Sequence, residues 1–392
     1  RWVVGRPDLS SRIFEVLGEQ GVLAQSLQGF QYRPSQLQMA LRIAKAIERA
    51  DHCLVEAGTG TGKTFGYLVP LILAGKKAVV STGTKNLQEQ IFSKDIPVLA
   101  RATGLHIDAV MMKGRKNYLC LHRYHHHFAQ SSLFSQGQGE YKSRLEPWLE
   151  KTTFADRAEI PWLSDQEDLW DAVSASSDEC IGQACPYLNE CFLGVLRHRA
   201  AKSQIVIVNH YLFFADMRVK RGGFGEIIPR FQVVVFDEAH RVEDIAASYL
   251  GERVSTNQLA ALANSLDQKS KVLDDKARTR LQTSLAAVRR GAEGLSRAFG
   301  EGPEKVRIDP DRLSSLQRNP GQQTVEALEA IGRQQDAAPE DDADLQVLFQ
   351  KSRNMKDMLE SVFVARDHNW LHWYERRKRG VALHASPLEI GE

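Results

Sequence analysis

The stretch "EAGTGTGKT" (56–64) constrains this chain more than any other. A Walker A loop needs a small residue, four intervening residues, and then Gly-Lys-Thr. Ala57 takes the first place, Gly58, Thr59, Gly60 and Thr61 the middle, and Gly62, Lys63 and Thr64 the last. Each residue type answers a chemical need. Glycines let the backbone curl so that successive N–H groups face phosphate oxygens at a helix N-terminus. The lysine reaches the β- and γ-phosphates, and the threonine hydroxyl joins a Mg²⁺ shell. Such a loop sits between a strand and a helix, so "DHCLVEA" (51–57) reads as a buried strand, with Cys53 a small core residue. "FGYLVPLILAG" reads as the helix that follows.

A second motif completes the first. In "VVVFDEAH" (233–240) an apolar strand runs into two carboxylates. Asp237 is placed to orient Mg²⁺, and Glu238 to act as general base toward a water. Together the motifs imply binding and Mg²⁺-dependent hydrolysis of ATP. Upstream, "GFQYRPSQLQ" puts Gln36 at a helix start, where its donor and acceptor suit an adenine edge.

Around these motifs short strands alternate with helical spacing: "KKAVVST", "HIDAVMM", "SQIVIVNH" and "FQVVVFDEAH". That rhythm predicts an α/β domain with a parallel sheet. It is interrupted at 114–200, a segment rich in aromatics, His and Cys that reads as an insertion. Thus 1–113 and 201–243 form the α/β domain. From 244 to 365, Leu and Ala recur at three- and four-residue spacing, which predicts a helical domain broken by the acidic "GRQQDAAPEDDADL". Residues 366–392 are expected to return to the α/β domain as strand, with "ERRKRG" as a basic surface patch.

No apolar run reaches membrane-spanning length, and the N-terminus lacks a secretory h-region. The first residue is Arg, so the chain is expected to begin inside a longer reading frame. The net charge of +2 gives no global attraction for nucleic acid, so any such binding must be local. The local candidate is "KGRKNY", where Lys113, Arg115 and Tyr118 offer two cations and an aromatic.

Five cysteines with no export signal favour metal ligation over disulfides. Cys180, Cys185 and Cys191 lie in "DECIGQACPYLNEC", and Cys120 opens the same insertion. No tight CxxC pair occurs. The spacing favours a cubane iron–sulfur cluster, with zinc as the alternative. His122 and His125 to His127 read as a solvated helix face.

In one order, "EAGTGTGKT", "STGTKNLQEQ", "KGRKNYLC", the three-cysteine run, "VNHYLF" and "VFDEAH" resemble the DinG/XPD-like iron–sulfur DNA helicases of superfamily 2, in particular their bacterial YoaA branch. The resemblance implies a RecA-like P-loop motor domain carrying an inserted cluster domain (114–200) and a helical Arch domain (244–365). It implies that Cys120, Cys180, Cys185 and Cys191 hold a 4Fe-4S cluster, and that Thr84 and Lys85 face the DNA backbone. It further implies 5′-to-3′ movement on single-stranded and forked DNA in repair or replication restart. The protein is expected to be a bacterial cytoplasmic monomer, with a replication or repair protein as partner. The family's second motor domain, with its arginine fingers, has no counterpart here. The chain is therefore expected to be an N-terminal fragment that binds ATP but barely hydrolyses it. The competing expectation is a non-translocating ATP- and DNA-binding iron–sulfur scaffold.

Overall fold

Near-continuous Val/Ile runs form strands suited to parallel pairing. They are β1 (Ala78–Thr82), β2 (Ala109–Met111), β3 (Ile205–Asn209) and β4 (Val233–Phe236). All are parallel, in the order β2-β3-β1-β4, with Val80 opposite both Ile207 and Val235. The structure, a computed structural model, describes residues 8–130, 138–163, 168–175, 180, 182, 185–221, 226–299, 305–339, 342–364, 370–376 and 380–387. It divides into two compact units, Arg1–Ala175 with Asn189–Val242, and Ser176–Leu188 with Glu243–Glu392.

In the first unit, α1 (Leu9–Leu17) and α2 (Val22–Ser26) precede α3 (Pro34–Arg49), which starts with proline where the missing N–H does no harm. Helix α3 packs along α4 (Lys63–Ala74). Leu68, Leu71, Ile13 and Leu17 join the strands in one apolar core. Helices α5 (Lys85–Gln90) and α6 (Ile96–Thr103) carry the chain from β1 to β2. The insertion then builds α7 (Leu121–Gln130), α8 (Gln138–Leu149), α9 (Asp168–Val173) and α10 (Phe192–Lys202). Leu119, Tyr124, Leu145, Ile160, Trp170 and Val173 give it a core of its own. Helix α11 (His210–Arg221) leads toward β4; α12 (Val242–Leu250) follows it and belongs from Glu243 on to the second unit.

The expected strand at 51–57 does not pair with the sheet. Leu54 is 95% exposed and Cys53 is exposed rather than core. Its apolar run is only Cys-Leu-Val between charged ends, too short to bury much.

The second unit is helical, as its spacing predicts: α13 (Thr256–Lys269), α14 (Asp275–Ala298), α15 (Pro310–Leu316), α16 (Gln322–Gly332) and α17 (Ala343–Phe363). Along α14 the buried face reads Leu281, Leu285, Val288, Ala292, Leu295. Gly291 lets α14 approach α16, because a Cβ there would stand 1.9 Å from the Thr324 hydroxyl. The strands expected at the chain's end do form, but in this unit. β5 (Glu252–Ser255), β6 (Lys305–Arg307), β7 (Trp370–Arg376) and β8 (Val381–Pro387) make an antiparallel sheet ordered β5-β8-β7-β6. Burial alternates in β7, where His372 and Tyr374 flank the half-buried Trp373, whereas Val381 to Ala385 of β8 are all buried. Of the "ERRKRG" patch, residues 377–379 lie outside the described residues, as do 178–179, 181 and 183–184 in the cysteine run.

Candidate active site

In open parallel sheets, ligands gather at the carboxyl ends of the strands. Here those ends deliver Ser81 and Thr82 from β1, His210 after β3, and Asp237 and Glu238 after β4. The Asp237 N–H donates to the Ser81 carbonyl at 2.8 Å, which extends the ladder one step into the turn.

The phosphate loop has the curl its glycines predict. Gly60 and Gly62 both adopt φ +78°, a region L-residues avoid, and Gly62 caps α4. The Thr61 hydroxyl donates to the Gly58 carbonyl at 2.9 Å. Lys63 and Thr64 open the helix, so its N-terminal N–H groups and positive dipole end face the loop. Lys63 Nζ lies 3.3 Å from Glu238 Oε1. The lysine expected to meet phosphate and the carboxylate expected to act as base thus converge from residues 175 apart. Gln36 is buried with its Nε2 donating to the Gly62 carbonyl at 2.8 Å. Its amide supports the loop, whereas the sequence reading had it facing an adenine.

Asp237 is held on both carboxylate oxygens. Its Oδ1 accepts from the Glu238 N–H at 3.1 Å, and its Oδ2 accepts from the Tyr67 hydroxyl at 3.2 Å. Burial pushes its pKa up against the help of Tyr67, with Glu238 adding to the rise and Lys63 opposing it. Burial likewise holds Tyr67 well above the usual phenol range, with the Asp237 charge adding to it, and the Thr64 side chain acts on the same oxygen. Glu238 holds a left-handed backbone at φ +57°, costing about 1–2 kcal/mol for a residue with a Cβ. Its His240 neighbour stands 3.5 Å from Oε2.

Thr64, one turn before Tyr67 on α4, and Asp237, bonded to the Tyr67 hydroxyl, thus offer oxygen donors, and burial leaves the carboxylate's charge poorly compensated. That donor set suits a hard divalent cation, which takes oxygen ligands.

Sequence reasoning did not find His210. It is fully buried, with Nδ1 2.7 Å from the Ser81 hydroxyl, and Nε2 has no hydrogen-bond partner among the described residues. Burial lowers its pKa. Tyr67 was missed too. Both look like ordinary core positions in sequence. Arg241, which donates to the Gly83 carbonyl at 3.4 Å, ties the "DEAH" turn to the loop after β1.

Among the residues expected to meet DNA, two are turned inward. Lys113 is 5% exposed and pairs with Glu89 at 2.5 Å and Asp156 at 2.8 Å. Burial works against its ammonium, but the Asp156 and Glu89 hydrogen bonds prevail and hold its pKa above the usual lysine value. Tyr118 is 3% exposed and its hydroxyl accepts from the Lys113 N–H at 2.8 Å. These two join the insertion to α5 and offer a DNA strand nothing. Thr84 caps α5, its hydroxyl accepting from the Leu87 N–H at 3.2 Å. Lys85 donates from the surface to Asn117 Oδ1 at 2.8 Å, and Arg115 is half-exposed.

The cysteines form no disulfide. Cys120 donates its N–H to the Val173 carbonyl at 2.9 Å and Cys191 precedes α10, both in the first unit; Cys180 and Cys185 fall in the second. Thiols outside disulfides suit iron or zinc in kind. Among the described residues, no three His, Cys, Asp or Glu side chains are gathered as a metal group.

A glycine loop capping a helix beside a strand-end Asp-Glu pair defines a P-loop nucleotide-binding protein of the α/β class. The chain matches the DEAD/DEAH box helicase family over residues 35–129 and the DEAD_2 family over residues 84–259. It is 32% identical to ATP-dependent DNA helicase YoaA of Haemophilus influenzae over 387 residues, 98% of this chain and 60% of that protein. With the protein of that name from Escherichia coli it shares 33% identity over 378 residues, 95% of this chain and 58% of the other. With ATP-dependent helicase DinG of Mycobacterium tuberculosis it shares 32% over 277 residues, 65% of this chain and 40% of the other. The chain thus carries DEAD/DEAH box helicase and DEAD_2 domains, with homologues named YoaA and DinG. It spans about 60% of the length of the YoaA proteins it matches.

Proposed function

We propose that this chain is the ATP-binding motor part of a DinG/YoaA-type DNA helicase. In this reading it moves 5′ to 3′ along single-stranded DNA at forks and junctions during repair or replication restart. The observation that carries the reading is the convergence of Lys63, Glu238 and Asp237 over the phosphate loop. Lys63 and the α4 N-terminus hold the phosphates. Glu238, freed from Lys63 as phosphate takes that cation, accepts the proton of the attacking water. Thr64 and Asp237 would hold Mg²⁺, which when bound offsets charge on the phosphates. Thr84, Lys85 and Arg115 are the groups assigned to the DNA backbone. No helix among the described residues is long and apolar enough to cross a membrane.

Cys120, Cys180, Cys185 and Cys191 are assigned to a 4Fe-4S cluster, on the chemistry of four thiols outside disulfides bounding one insertion. When bound, such a cluster cross-links residues distant in sequence. Iron content and visible absorbance of anaerobically purified protein test this. Cys185→Ser should bleach it and Cys53→Ser should not, whereas stoichiometric zinc in a colourless protein contradicts the assignment.

The helicase reading is tested by fork unwinding and DNA-stimulated phosphate release by the full-length protein. Glu238→Gln should retain ATP binding and lower turnover by a hundredfold or more, on the order of the loss of a general base. Undiminished turnover in that variant would remove Glu238 from the mechanism. ATP binding without unwinding of any fork would favour a scaffold instead.

A further inference from the structure

Tyr67 belongs to no motif, yet its hydroxyl touches Asp237, the carboxylate assigned to the metal at the phosphate loop. It lies three residues after Thr64 on α4, so the two side chains share a helix face. Its ring is 2% exposed and packed within the apolar core of the first unit, which fixes where the hydroxyl can point. That hydroxyl donates to Asp237 Oδ2 at 3.2 Å, while the Glu238 N–H holds Oδ1 at 3.1 Å. With one donor on each oxygen, the plane of the carboxylate is set from both sides.

We propose that Tyr67 is a positioning residue for divalent-metal binding, holding Asp237 in the orientation that, together with Thr64, receives the cation of a metal–nucleotide complex. The inference rests on the ATP-site reading and adds to it a determinant that the motifs do not contain. A carboxylate oxygen can accept from a hydroxyl and still use its other lone pairs. Tyr67 therefore keeps its bond when metal arrives, as outer-shell partners of metal ligands do. A purely structural tyrosine would instead serve through its ring, which phenylalanine reproduces. The hydroxyl is the part that packing does not need.

The experiment is equilibrium binding of a fluorescent ATP analogue to this chain, with Mg²⁺ titrated from zero. Tyr67→Phe should raise the Mg²⁺ concentration for half-maximal effect by about 10- to 100-fold, the usual loss for an outer-shell partner. Affinity for the analogue in excess chelator should not change, and circular dichroism should match the parent protein, since no apolar contact is lost. A Mn²⁺ titration followed by electron paramagnetic resonance reads the same site directly and repeats the test without relying on the fluorophore. If Tyr67→Phe folds poorly, Tyr67→His, which can still present a ring N–H, should bind Mn²⁺ more tightly than Tyr67→Leu. Unchanged Mg²⁺ and Mn²⁺ dependence in Tyr67→Phe, or equal Mn²⁺ affinity in the His and Leu variants, overturns the inference. Lys63→Ala separates the two failures. If it leaves analogue binding intact, the ATP-site reading itself is wrong; if it abolishes binding while Tyr67→Phe is silent, only the role of Tyr67 falls.

Discussion

At the carboxyl edge of the parallel sheet, Asp237 and His210 are held in surroundings that oppose their charged forms, and Glu238 carries a left-handed backbone. The second unit is built the other way. Its buried face along α14 is wholly apolar, and exposed ion pairs such as Arg297–Glu293 and Arg333–Glu329 are spaced i,i+4 on helix surfaces. Exposed pairs of that kind contribute little, about 0.3–0.5 kcal/mol each, so the second unit is stabilised by packing. The first unit places uncompensated polar groups where a charged ligand would relieve them.

Substitutions on each side can break that contrast. The largest effect on stability is expected in the second unit. Leu285→Ala, at a fully buried position of α14, should cost about 2–5 kcal/mol in chemical denaturation. It should leave binding of an ATP analogue unchanged; weakened binding would mean that the two functions of stability and chemistry are not separated as described.

Next comes Lys113, a buried charge in the first unit that serves structure. Lys113→Ala leaves Asp156 and Glu89 without their cation and should cost about 1–3 kcal/mol. If instead it left stability untouched and weakened DNA binding, the inward-facing reading would be wrong.

A smaller change of opposite sign is expected at Asp237. Its folded-state pKa is raised above the usual 3.8, so its favourable contribution is complete below that pH and is lost as pH rises through the folded value. At pH 7 the charged group is therefore a burden. Asp237→Asn should raise the thermal midpoint at neutral pH, with the gain vanishing below about pH 3.8, while abolishing the Mg²⁺ dependence of nucleotide binding. A lower midpoint at pH 7 would contradict the sign.

The smallest effect concerns Arg115. Arg115→Ala should flatten the salt dependence of single-stranded DNA affinity by roughly 0.7 in log–log slope, one phosphate contact, with stability unchanged. Lys113→Ala should not alter that slope.

What could be read in advance follows the same division. The phosphate loop was legible because Gly60, Gly62, Lys63 and Thr64 are neighbours in sequence and each has a chemical reason for its place. Asp237 and Glu238 were legible because a pure apolar strand fixes where they emerge. Tyr67 and His210 were not, since a tyrosine in an apolar helix and a histidine after a strand acquire their roles only from Asp237 and Ser81 across the fold. Lys113 was misread for the same reason. Beside Arg115 and Tyr118 it looks like a nucleic-acid patch, and nothing local reveals that Glu89 and Asp156 close on it. The final strands were recognised but assigned to the wrong sheet. Alternation shows that Trp370–Arg376 is half-buried, not which unit buries it. Residues 51–57 look like a strand by composition alone, and composition cannot supply a partner strand.

The central claim is that the loop from Gly58 to Thr64, with Lys63 facing Glu238, is a triphosphate site. It is tested most directly by titrating this chain and its Lys63→Ala variant with a fluorescent ATP analogue in saturating Mg²⁺. The account predicts an affinity loss of about a hundredfold, near 2.7 kcal/mol, for the variant, with circular dichroism unchanged. Equal affinity in the two proteins would contradict it.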